Sequence, residues 1–241
     1  MTTTVVRPEV NDPRALADRT PVADLMAALS RLVRGLSALF WGLPLALVVC
    51  VQTGRTNLLA GWGVVPPLLA NGLLCYALHE IGFFHRSERI WQRARERAQL
   101  FALLNFGLSP FLYWWKMMPE VLYYEFAVLV LALSGLLLLF TLNQMLQRLA
   151  AMLPDETLRL EAKLFTNLNL YLLLATAILG AVWVGVGHAK PLPAALVPFL
   201  DLTLRLGVLL MLLLILLPLA LTMALIWKIK ETILASVFAP G

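Results

Sequence analysis

The segment Val121-Leu-Tyr-Tyr-Glu-Phe-Ala-Val-Leu-Val-Leu-Ala-Leu-Ser-Gly-Leu-Leu-Leu-Leu-Phe-Thr-Leu142 contains one charged side chain, Glu125. As an α-helix rising 1.5 Å per residue it measures about 33 Å, close to the roughly 30 Å of hydrocarbon in a bilayer. It lacks the polar stripe that a surface helix of a soluble domain presents to water. The segment reads as a membrane span, and its neighbours extend that reading along the chain.

Residues 36–53, 58–78, 99–115, 168–187 and 203–227 are similarly apolar, the third being short and interrupted by Pro110. Over the 241 residues 61% are hydrophobic and 14% charged, against roughly 45–50% and about 25% in soluble domains. The sequence therefore predicts an all-α, polytopic integral membrane protein with six transmembrane helices. Residues 1–35 form an N-terminal tail, 36–227 the transmembrane domain and 228–241 a short C-terminal tail. The charges among the first 30 residues leave no room for the apolar region of a cleavable signal peptide. Pro8, Pro13 and Pro21 suggest an extended lead-in as far as Pro21, and 22–33 an amphipathic interfacial helix.

Positive charge fixes the orientation, because Lys and Arg are retained on the cytoplasmic side. Arg7, Arg14, Arg19, Arg31, Arg34, the arginines of 86–97, Arg148, Arg159, Lys163, Lys228 and Lys230 fall on one side; Arg55, Lys116, Lys190 and Arg205 fall on the other. Both termini are then cytoplasmic. Tyr113, Trp114, Trp115, Tyr123 and Tyr124 flank the short connection between the third and fourth spans, as in an interfacial aromatic belt. Arginine-rich basic usage fits a bacterial cytoplasmic membrane. Basic residues scattered between spans give no continuous nucleic-acid-binding face.

A fixed-offset similarity runs through the chain. Ala98-Gln-Leu-Phe-Ala-Leu-Leu-Asn105 resembles Ala162-Lys-Leu-Phe-Thr-Asn-Leu-Asn169 at an offset of 64, each preceded by an arginine, Arg95 or Arg159. At the same offset Ala77-Leu-His-Glu-Ile81 aligns with Thr141-Leu-Asn-Gln-Met145. With a weaker copy after Arg34, the pattern suggests tandem helical hairpins of shared orientation.

Ionisable or amide side chains inside a bilayer are costly and mark places where chemistry or packing demands them. Asn71, Asn105, Glu125 and Asn169 form a candidate polar intramembrane track if they face one cavity; interhelical hydrogen bonding is the alternative. Pro44, Pro66, Pro67, Pro110 and Pro218 lie in spans, where each removes a backbone donor. The spacings Gly61, Gly63, Gly72 and Gly180, Gly185, Gly187 suggest close helix contacts. Arg86, Arg89, Arg93, Arg95 and Arg97, with Ile90 and Trp91 on one face, resemble an interfacial helix that contacts anionic lipid headgroups or a partner.

No constellation for catalysis is present: there is no nucleophile elbow, phosphate loop or dinucleotide fingerprint. His79 and His85 are six apart and diverge around a helix, which excludes a zincin-type metal site. Cys50 and Cys75 differ in depth and are expected to remain unpaired. No cofactor is expected. The leading expectation is a non-enzymatic integral membrane subunit or scaffold of a larger membrane complex, with other membrane subunits and anionic lipids as partners. The competing expectation is a small permease or lipid-handling transporter using the polar track.

Overall fold

A computed structural model describes residues 13–82, 89–153, 156–187 and 197–238. Among them the chain is helical throughout, with no strand: α1 (Pro13–Arg55), a 3-10 turn (Ala60–Trp62), α2 (Val65–Ile81), α3 (Arg89–Leu108), α4 (Phe111–Met117), α5 (Leu122–Met152), α6 (Glu156–Gly187) and α7 (Val197–Phe238). Among the described residues, four helical stretches are long and apolar enough to cross a membrane: Met26–Arg55, Leu122–Met152, Glu156–Val182 and Leu212–Ala235. They contain most of the first, fourth and fifth expected spans and the second half of the sixth.

The two remaining segments differ from expectation for backbone reasons. Residues 58–78 do not form one helix. Gly63 adopts φ 56°, a left-handed turn that glycine enters without Cβ strain. α2 starts only at Val65, with Pro66 and Pro67 in its first turn, where missing N–H groups cost no hydrogen bond. Its 17 residues measure about 26 Å. Residues 99–115 are split between α3 and α4 at Ser109 and Pro110, because the proline supplies no N–H to continue the ladder.

Two further corrections concern the cytoplasmic-type segments. The backbone is helical from Pro13, so the extended lead-in to Pro21 and the separate interfacial helix over 22–33 are replaced by one continuous α1. Proline is well placed at a helix start, and the alanine- and leucine-rich sequence that follows propagates the helix into the span. The basic stretch over 89–97 is likewise the first part of α3 rather than a detached surface helix; Trp91 is only 1% exposed and belongs to the main core.

The heaviest packing pairs α1 with α2, α3 with α5, and α6 with α7, giving three tandem hairpins, the second including α4. In the first, glycines permit the approach. A Cβ on Gly35 would lie 2.6 Å from Ile81 Cγ1 and 2.9 Å from the Ala77 carbonyl oxygen, and one on Gly42 would lie 3.0 Å from Leu74 Cδ2. Of the glycines singled out in the sequence, Gly61 and Gly185 face open space, Gly63 makes the turn, and Gly72 meets Phe106 of α3.

The core is concentrated toward one end. Leu32, Leu36 and Leu39 of α1, Leu78 and Ile81 of α2, Trp91 of α3, Leu142 to Ala150 of α5, Leu158 and Ala162 of α6, and Ile226, Ile229 and Ile233 of α7 form one cluster beside the basic residues. Away from it, Trp41, Leu45 and Val48 of α1, Leu129, Leu133 and Leu137 of α5, and Tyr171, Leu174 and Ile178 of α6 point outward.

Candidate functional site

Each asparagine of the expected track is buried, and each is engaged in a helix seam. In the first hairpin Asn71, 5% exposed, donates through Nδ2 to the Pro67 carbonyl at 2.9 Å and to Cys50 Sγ of α1 at 3.7 Å. Both cysteines are free thiols. In the second, the Ser134 hydroxyl of α5 donates to Asn105 Oδ1 of α3 at 2.6 Å, with the Leu131 carbonyl also in reach at 2.9 Å.

The third seam is more elaborate. Thr222 of α7 accepts from Asn169 Nδ2 of α6 at 3.0 Å and from Asn143 Nδ2 of α5 at 2.9 Å, while its own hydroxyl donates to the Pro218 carbonyl at 2.7 Å. One proton and two lone pairs are thus all used. Asn143 also donates to the Leu139 carbonyl at 2.8 Å, and Asn169 lies 3.4 Å from the Pro218 carbonyl. Asn143 and Asn169 are each 1% exposed, and their Oδ1 atoms have no hydrogen-bond partner. Pro218 also leaves the Leu214 carbonyl without its helical donor; the Thr176 hydroxyl of α6 approaches that oxygen at 3.0 Å.

Glu125 stands apart from all three. It lies in the first turn of α5, where the helix dipole favours a carboxylate. Nine positions separate it from Ser134, about 14 Å along the helix. Phe111, Trp114, Tyr123 and Tyr124 form ring contacts of 5.2–6.3 Å at this end. There Lys116 of α4 also donates to the Thr56 carbonyl just past α1. The four track residues therefore do not converge: the structure distributes Asn71, Asn105 and Asn169 among three seams and leaves Glu125 at the helix end. The observation on which the permease expectation depended is absent from the described residues.

The arginine set also divides. Arg95 Nη1 donates to the Gly82 carbonyl at 3.1 Å, capping the end of α2, where unpaired carbonyls and the negative dipole end attract a cation. Its repeat-related counterpart, Arg159, does the same for the end of α5, donating from Nη2 to the Ala151 carbonyl at 3.0 Å. Arg93 and Arg97 are exposed. Arg86 lies outside the described residues, as does the side chain of Arg89.

Asn143 and Thr222 were not singled out as site residues by sequence. Asn143 falls inside the repeat segment Thr141-Leu-Asn-Gln-Met145, and Thr222 follows Pro218 by one turn, so a signal was present without a reason to join them. Two shallow apolar grooves lie on the outside of the bundle, one between α2 and α3 and one between α1 and α7.

Comparison of the chain with family models, with curated proteins and with solved structures gives no match to any of them.

Proposed function

We propose that the protein is a non-enzymatic, six-crossing integral membrane subunit that packs against other membrane proteins. In this reading α2 and the broken α3–α4 unit are the second and third crossings, and both termini lie on the cytoplasmic side of a bacterial inner membrane. The carrying observation is the use of Asn71, Asn105 and Asn169 as bonds between helices. A translocation pathway or an acid–base centre needs polar groups facing a ligand; these face one another. Wide outward apolar surface is available to lipid and to neighbouring spans. Arg93 and Arg97 remain available to anionic headgroups or a soluble partner.

Purification from native membranes in mild detergent, followed by mass spectrometry of whatever stays bound in fixed proportion, tests this reading. Stoichiometric recovery of other membrane proteins is expected. Recovery of the chain alone, carrying a small molecule that exchanges with solute on either side, would overturn it.

A further inference from the structure

The groove between α1 and α7 changes character along its length. Its walls and floor are Phe40 of α1 with Ala220, Met223, Ala224 and Trp227 of α7, and it ends at Lys228. Ala220 and Ala224 are four apart and share a helix face; their short side chains leave the hollow. Phe40 and Trp227 have ring centroids 5.9 Å apart. Trp41, 69% exposed, packs edge-on against Phe40 at 5.5 Å. Beyond the rings lie cations: Lys228, which pairs with Glu161, and Lys230, whose Nζ is 5.8 Å from the Trp227 ring. Arg34, exposed and seven residues before Trp41, continues the outward stripe of α1.

From Ala220 to Lys228 the helix rises about 12 Å, passing from small apolar residues through aromatic rings to ammonium groups. A glycerophospholipid has the same sequence of parts: acyl chain, interfacial glycerol, phosphate. The second groove, lined by Val65, Leu68, Leu69, Gly72, Leu73, Tyr76 and Phe106, has no cation among its lining residues and gives no reason to choose an occupant. Glu161 holds Lys228, which leaves Lys230 beside the Trp227 ring as the ammonium at this end.

We propose that the α1–α7 groove binds one glycerophospholipid, an acyl chain lying over Ala220 and Ala224 and its phosphate held by Lys230 beside the Trp227 ring. This rests on the membrane-embedded reading above. Native mass spectrometry of delipidated full-length protein, titrated with phosphatidylglycerol, with diacylglycerol of the same chains and with inorganic phosphate, tests it. Phosphatidylglycerol is expected to bind one to one and the other two weakly. Ala224→Leu, which fills the hollow, and Lys230→Gln, which spares the Lys228–Glu161 pair, are each expected to weaken binding, the lysine change by about fivefold.

Equal retention by wild type and both variants would overturn the site, as would binding of diacylglycerol as tight as phosphatidylglycerol. Alkaline carbonate extraction of native membranes separates the two levels of failure. Release of the chain refutes membrane embedding itself, whereas retention with unaltered lipid binding refutes the groove alone.

Discussion

Asn105 and Asn169 sit 64 residues apart in matching sequence, each four residues after a phenylalanine and ten after an arginine that caps the preceding helix. Each bonds to a hydroxyl on the second helix of its own hairpin, Ser134 or Thr222. The second seam stops there. The third recruits Asn143 from α5, so one threonine joins three helices, and two amide oxygens remain unpartnered. The shared features support a duplicated hairpin; the difference shows how one extra amide turns a two-helix contact into a junction between hairpins.

The largest effect expected from this comparison is at Thr222. Thr222→Val removes the acceptor common to two buried amides and should cost about 1–3 kcal/mol of stability, read as a shift in detergent unfolding. Ser134→Ala leaves one amide oxygen without its hydroxyl and should cost less, near 1 kcal/mol. If the two substitutions prove equal, Thr222 is not the junction that the geometry describes. Replacing Asn143 and Asn169 by leucine in the Thr222→Val background should recover much of the loss, since removing every member of a polar set leaves nothing unsatisfied.

A smaller contrast separates the two arginine caps. Arg95 is partly buried and Arg159 exposed. Arg95→Ala should lower stability by about 1 kcal/mol, through the lost bond and lost packing, and Arg159→Ala by less than about 0.5 kcal/mol. Hydrogen exchange at the ends of α2 and α5 reads the two separately. Equal protection after both changes would place the caps outside the cooperative structure.

The first hairpin shows where sequence reading reached and where it stopped. Long apolar runs made the helices legible, because they depend on composition along the chain. Contacts depend on the face that each helix presents. Gly35 and Gly42, which set the α1–α2 approach, lie in a stretch where leucine and alanine occupy every face, so no periodicity marked them. Gly61 and Gly185, which looked like contact residues, face open space.

The same limit explains the site residues. Asn71, Asn105 and Asn169 were conspicuous as amides within apolar runs, but convergence on one cavity is a three-dimensional property, and each turned to its own seam. The basic stretch before Asn105 carried the pattern of a surface helix. Continuity with α3 and burial of Trp91 arise from packing against α2 and α5 that no local pattern encodes.

The central claim, three hairpins making six crossings, is tested most directly by cysteine accessibility in intact membranes. With Cys50 and Cys75 replaced by serine, single cysteines at Asn57, Glu120 and His188 should react with an impermeant maleimide from one side only. Cysteines at Ser87, Asp155 and Ala239 should react only from the other. Asn57 and Ser87 labelling from the same side would show that α2 does not cross, and the three-hairpin account would fail.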